Sequence, residues 1–256
     1  MKRIAMMILL LGSSLLAMSG AEVFQNKCAS CHNDYIPQSK LNRNYQADNQ
    51  ELNLTAPTLT ELSFRLKDQV GDRKADAQGQ KFEIEAFLET FLKNPAARQK
   101  SILPRHVRKQ FGTMPPVDVS EDEIELLADF IYEYAEQMMR QHGVKRYSYK
   151  EALQKAKAER KIILIEGFIP YCRGCIWMDR NVMVEPEVKE ALNKDFLFVK
   201  MNLLTEKLPL GIKRLGTPSF YFIDSDGTKV IDMLEGRGTV EEFLELLRTI
   251  RQKARQ

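Results

Sequence analysis

The sequence predicts two domains of different class in one chain, an all-α unit over residues 22–141 and an α/β unit over residues 148–256. Three observations carry this. In the first half, apolar residues recur at helical spacing, as in Ile84, Phe87, Leu88, Phe91 and Leu92. In the second half the period changes. Residues 162–168 and 196–203 are dense β-branched and apolar runs, the mark of strands covered on both faces. The four cysteines fall in two Cys-x-x-Cys pairs, one to each half, which reads as two chemical sites and not as a disulfide scaffold. A hydrophobic content of 44% with 29% charged residues is ordinary for soluble globular protein, so both units have material for a core.

Lys2 and Arg3 precede an apolar run over residues 4–17, interrupted by Gly12, Ser13 and Ser14. Ser19, Gly20 and Ala21 then offer small residues to a signal peptidase. This pattern predicts a secretory signal peptide over residues 1–21 and export to the periplasm. The run is short for a membrane span, and an uncleaved anchor is the alternative. The chain has 38 Lys and Arg against 35 Asp and Glu, and loss of Lys2 and Arg3 leaves it close to neutral. No basic tract is interleaved with aromatics, so nucleic acid is not an expected partner. There is no internal repeat and no low-complexity segment.

The first chemical site is Cys28-Ala29-Ser30-Cys31-His32. Two thiols three apart with a histidine directly after them suit covalent attachment of one haem c. Cys28 and Cys31 on one helical turn reach two vinyl groups, and His32 lies below the iron. The alternatives are a zinc half-site or a reducible disulfide. A zinc site would want a second Cys/His pair at knuckle spacing, whereas the next cysteine is Cys172. Phe24 and Gly20 precede Cys28 by four and eight residues and share its helical face. Residues 33–53 are polar and read as loop. Ala56-Pro57-Thr58-Leu59 follows. The spacing then predicts a helix over residues 81–93, ended by Asn94-Pro95. Met114 stands apart from the other methionines, on a rigid loop in Phe111-Gly112-Thr113-Met114-Pro115-Pro116. His106, within a basic strip, is the other candidate for a second axial ligand. A capping box, Ser120 with Glu123, opens a closing helix whose buried face is Ile124, Leu127, Ala128, Ile131, Tyr134 and Met138.

Residues 22–141 thus resemble the mono-haem class I cytochromes c, in particular the bacterial subfamily with Phe-Gly-x-Met-Pro-Pro. The resemblance implies an all-α cytochrome c fold with His32 and Met114 as the iron ligands. It also implies that the Pro57 carbonyl accepts the His32 Nδ1–H, as in the Gly-Pro-x-Leu segment of that family, although Ala56 stands in place of Gly. Family members pack Gly20 and Phe24 equivalents against the last helix, yet cleavage after Ala21 would remove Gly20.

Residues 142–147 form a short polar and basic joint. Beyond it, Ser148 with Glu151 caps a charged helix, and the apolar run at 162–168 delivers Cys172-Arg173-Gly174-Cys175 to the start of another helix. A second helical part starts near Glu185-Pro186, and strands follow at 196–203, 219–223 and 229–234. Asp226-Gly227 makes a hairpin turn, and Thr239 with Glu242 caps a last helix. At a helix N-terminus Cys172 is the stabilised thiolate, and the buried Cys175 resolves the mixed disulfide. A structural disulfide is the alternative. This order resembles the thioredoxin fold, which implies that Pro218 in Gly216-Thr217-Pro218 is a cis-proline beside the site. Glu166, six residues before Cys172, and Asp179, seven after, resemble the acids of the C-terminal domain of the periplasmic thiol:disulfide interchange proteins of the DsbD family. Glu166 stands where Asp is usual and Tyr171 where Trp is usual. The resemblance implies catalytic roles for both acids, with Glu166 taking the proton from Cys175. The alternative is a salt-bridged Glu166 and a solvated Asp179.

Together these readings predict an exported thiol–disulfide oxidoreductase that passes electrons between the Cys172/Cys175 dithiol and one covalent haem c. Dithiols of this fold lie at roughly −270 to −120 mV, below a His/Met haem. Expected partners are periplasmic protein thiols or disulfides and a soluble or membrane electron-transfer partner. The alternative is a mono-haem electron carrier or redox sensor joined to an electronically independent thioredoxin-like module.

Overall fold

The computed structural model describes residues 18–72, 76–97 and 102–255, without the side chains of Ala97 and His106. The expected export segment lies outside these residues apart from residues 18–21, and the His106 imidazole lies outside them too.

Among the described residues, six α-helices build the first unit. Helix α1, Gly20–Lys27, starts on a capping box in which Ser19 and Glu22 satisfy each other's backbone N–H. It crosses α6, Glu121–His142, at Gly20. A Cβ there would lie 2.0 Å from the Leu126 carbonyl oxygen and 2.6 Å from Phe130 Cβ, so only glycine permits this approach. Phe24 meets Phe130 one turn on, with ring centroids 5.8 Å apart. A boundary after Ala21 would therefore cut this helix and remove both its cap and its contact glycine.

Helix α2, Gln38–Gln46, occupies the stretch expected to be loop. Polar composition conceals it, because it buries only Leu41 and Asn44, whose amide bonds the Leu52 N–H and Asn49. Helix α3, Leu59–Gln69, begins on a second capping box, Thr58 with Glu61, directly after Pro57. Helix α4, Ala77–Lys93, opens four residues before the expected start because Asp76 caps the Gly79 N–H. The basic strip around His106 is helix α5, Arg105–Phe111. Val23, Phe24, Leu59, Ile84, Phe87, Leu127 and Ile131 make one apolar core among α1, α3, α4 and α6.

The expected joint is shorter than the sequence implied. Helix α6 runs to His142, and Arg146–Tyr147 form strand β1 of the second unit. Gly143 closes α6 with φ −73°, an ordinary value; its lack of a Cβ matters because Met139's carbonyl oxygen would lie 2.3 Å away.

The second unit continues with α7 (Tyr149–Glu159), β2 (Ile162–Phe168), α8 (Arg173–Asn181), α9 (Pro186–Asp195), β3 (Phe196–Asn202), β4 (Ser219–Ile223), β5 (Val230–Glu235) and α10 (Val240–Lys253). The sheet order is β1-β3-β2-β4-β5. Strands β1, β3 and β2 are parallel, and β4 and β5 run antiparallel to their neighbours. Alternation along β2 sends Ile163 and Ile165 to the α7 side and Leu164 to the side covered by α8, α9 and α10. Glu166 has the parity of Leu164, so it lies on the face beneath the Cys172 helix. The second unit is α/β, and the unit before it is helical.

Candidate functional site

Buried strand β2 ends at Phe168, and residues 169–172 turn the chain sharply into α8. The turn needs a left-handed residue, and Tyr171 supplies it at φ +60°. Its ring is left exposed. Cys172 is the N-cap of α8, and its Sγ accepts the Cys175 N–H at 3.2 Å. The sulfur thus sits among the unpaired N–H groups and at the positive end of a helix, which stabilises a thiolate. Cys172 and Cys175 form a disulfide, with Cys175 buried and Cys172 reaching solvent.

The Thr217–Pro218 bond is cis. Pro218 lies against Gly174, where an added Cβ would be 2.8 Å from Pro218 Cδ. Glycine between the cysteines is what lets the proline loop approach. Two hydrogen bonds hold that loop from behind: Gly216 N–H donates to the Glu235 side-chain Oε2 at 2.7 Å, and Gly236 N–H to the Pro218 carbonyl at 2.8 Å.

Beneath the pair, Glu166 is fully buried, and among the described residues neither carboxylate oxygen makes a regular hydrogen bond. Register pairs it with Lys200 on β3, whose Nζ stands 3.5 Å from Glu166 Oε1. The same ammonium is closer to Asp179, at 2.5 and 2.6 Å, and Arg146 of β1 reaches Asp179 at 3.4 Å. Burial pushes Glu166 up to about 7; the Lys200 charge opposes this and the Asp179 charge adds to it. Asp179 is therefore an ion-paired residue and not a solvated one. Sequence reading missed Lys200 and Arg146. Lys200 was detectable as the one charge inside the apolar run at 196–203.

In the helical unit, Cys28 closes α1, and the His32 N–H donates to the Cys28 carbonyl at 3.0 Å, one further helical turn. Cys28 and Cys31 are free thiols. His32 Nδ1 lies 2.7 Å from the Pro57 carbonyl oxygen. A carbonyl only accepts, so Nδ1 carries the proton and Nε2 keeps the lone pair a metal needs. Burial holds the imidazole below its ordinary pKa, which favours this neutral form. Thr55 Oγ1 on the Cys31 carbonyl (2.9 Å) and Leu59 N–H on the Asn33 carbonyl (2.7 Å) clamp the two segments together. Met114 and Cys28 pack, partly buried, on the same apolar core. Gln110, four residues before Met114, has a buried amide nitrogen with no acceptor among the described residues. Among the described residues no three His, Cys, Asp or Glu side chains cluster as a metal site, so a zinc reading of Cys28 and Cys31 gains no further ligands there.

Residues 145–225 match a family model described as thioredoxin-like. No curated protein matches the chain. Among solved structures it is similar to a thioredoxin from Thermus thermophilus, at 27% identity over 44% of this chain and 90% of that one, with a TM-score of 0.39. It is also similar to the oxidoreductase DsbH, at 20% identity over 43% and 85%, with a TM-score of 0.38. The oxidised C-terminal domain of Neisseria meningitidis DsbD matches at 21% identity over 42% and 100%, with a TM-score of 0.34.

Proposed function

We propose that the chain is an exported thiol–disulfide oxidoreductase that exchanges electrons between its Cys172/Cys175 dithiol and a haem c of its own. The observation that carries this reading is the His32–Pro57 hydrogen bond beside two free thiols, in a chain whose other two cysteines are the Cys172–Cys175 pair. The residues fit the group. Cys28 and Cys31 would hold it by thioethers, His32 Nε2 and the Met114 sulfur would ligate its iron, and the Gln110 amide is a donor that lacks an acceptor among the described residues. When bound, the group supplies one-electron redox chemistry at a potential above that of the dithiol.

The chain's own residues do the thiol chemistry. Cys172 thiolate attacks a client disulfide and forms a mixed disulfide, releasing one client thiolate. Cys175 then loses its proton and attacks Cys172, giving the Cys172–Cys175 disulfide and the second client thiolate. The client gains two electrons and the pair loses two; run in reverse, with the Cys172–Cys175 disulfide oxidising a client dithiol, the same exchange loads the pair with two electrons, which two successive one-electron transfers would pass through the haem to an acceptor protein. Glu166, buried and poised near neutrality, holds or releases the proton that Cys175 exchanges during this step. Lys200 and Asp179 set the charge around Glu166. Pro218 presents its backbone to the client segment next to the disulfide. Clients are protein thiols or disulfides outside the cytoplasm. Export by the segment before Ser19 fits haem attachment outside the cytoplasm, and cleavage upstream of Ser19 would leave α1 with its cap.

The test is to reduce the pair, mix it anaerobically with the ferric protein and follow the haem α-band. Reduction lost in Cys172→Ser supports the exchange. A rate unaffected by Cys172→Ser would overturn it in favour of an electron carrier with an independent thiol module. Colour extractable by acid–acetone would overturn covalent attachment.

A further inference from the structure

We infer that the two domains form a fixed dock built on the dithiol helix, and that Arg180 and Glu185 are its positioning residues. The functional meaning of the dock rests on the reading just proposed, since the spacing of two redox sites matters only if they exchange electrons.

Arg180 lies on α8, eight residues after Cys172 and so about 12 Å along the helix axis. Its guanidinium crosses to α3 of the helical unit. Nη1 donates to Asp68 Oδ2 at 2.7 Å and Nη2 to Oδ1 at 3.3 Å. The same plane lies over the Phe64 ring, 3.9 Å from its centroid. A two-pronged pair stacked on an aromatic has one geometry, unlike a lone surface ion pair, which constrains little.

Glu185 sits at the corner between α8 and α9 and is only 3% exposed. Both donors found for its carboxylate come from the other domain: the Ser39 hydroxyl at 2.6 Å and the Ser39 N–H at 3.1 Å. A carboxylate so buried requires such donors. Beside it the Val144 N–H donates to the Met183 carbonyl at 3.1 Å, tying the interdomain connection to the same corner. Tyr35 stacks on His142, the last residue of α6, with centroids 3.9 Å apart and an interplanar angle of 12°. Three residues separate α6 from β1, too few for the domains to move far.

The segment that supplies Tyr35 and Ser39 begins at His32 and is bonded to Leu59 and Thr60 on its inner side. One stretch of chain therefore walls the His32 site and grips the corner just beyond the dithiol helix. α8 is a rigid rod whose first residue is next to Cys172 and whose last turn is clamped. The dock fixes where the sulfurs stand relative to His32.

The test uses the full haem-loaded chain in four forms: wild type, Arg180→Asp, Asp68→Arg and the double swap. Hydrogen exchange of residues 59–69 and 173–185 reads the dock without any redox step. Expected are at least tenfold faster exchange of these segments in each single variant and recovery in the swap. Haem reduction by the pair should be independent of protein concentration in wild type. It should fall at least tenfold in Arg180→Asp and return in the swap, with Cys172 alkylation unchanged throughout. Equal exchange in wild type and Arg180→Asp would overturn the dock, and Glu185→Gln, which keeps the shape, repeats that comparison if a charge reversal fails to fold. Loosened exchange with an unchanged reduction rate would overturn the positioning role. Rescue by the swap in a protein whose dithiol never reduces its haem would sustain the dock and sink the electron-exchange reading.

Discussion

Glu166→Gln removes a titratable group from the floor of the dithiol site while keeping its volume. Burial raises Glu166 from an ordinary 4.5 to about 7, with Lys200 opposing and Asp179 adding. The sign follows from proton binding. Below pH 4.5 the carboxyl is protonated in the folded and unfolded chain alike, and it contributes nothing to the difference. Between 4.5 and 7 the unfolded chain releases the proton while the folded chain keeps it, so stability falls as pH rises through that window. Above 7 the loss is complete, and a shift of this size corresponds to about 3 kcal/mol. Glutamine does not titrate. The variant should therefore match wild type at pH 4.5 and exceed it by up to about 3 kcal/mol at pH 8. Urea unfolding of the oxidised full chain measures this, followed by the fluorescence of Trp177, the only tryptophan. Disulfide reduction by the same variant should be slower, with the deficit greatest near pH 7. A stability difference constant across pH, or a variant weaker than wild type at pH 8, would make Glu166 a structural partner of Lys200 and refute the proton-transfer role.

Four further outcomes are expected. In the reduced protein at neutral pH, Cys172 should alkylate faster than Cys175, because helix α8 stabilises the one thiolate and burial suppresses the other; mass mapping of the modified sulfurs checks this. Cys175→Ser should accumulate mixed disulfides with clients, visible on non-reducing gels, since nothing remains to resolve them. Met114→Ala should abolish the weak charge-transfer band of ferric Met ligation and lower the haem potential, and an unchanged spectrum would point to another ligand. Gly20→Ala should destabilise the helical unit by about 3 kcal/mol in thermal or urea unfolding, because its methyl meets the Leu126 carbonyl and Phe130.

Elements with a local start signal were readable before any fold was known. Ser120, Ser148 and Thr239 each form the capping box their spacing implies, and α6, α7 and α10 begin where expected. The strands bearing dense apolar runs were equally plain. What escaped was set by tertiary contact. Helix α2 is polar almost throughout and exists because Leu41 and Asn44 have a place to be buried. Strand β1 is two residues long and is defined only by its partner. In the dithiol site, the buried position of Glu166 could be argued from its place in an apolar strand. The sharing of Lys200 between Glu166 and Asp179 could not, because it depends on register between β2 and β3. Contacts across the domain boundary, such as Arg180 with Asp68, leave no trace in local pattern at all.

Strand β1 has a consequence for how the second unit could be detached. Arg146 and Tyr147 pair with Phe198 and Val199 and so cover part of the outer rim of β3. A fragment beginning at Ser148 would keep Cys172, Cys175, Pro218 and Glu166, lose Arg146, and present bare N–H and C=O groups along an apolar strand. Such a rim templates pairing with a second copy. The shorter fragment is therefore expected to self-associate into sheet-extended oligomers, whereas one that begins at Val144 retains the two-residue cover and stays dispersed.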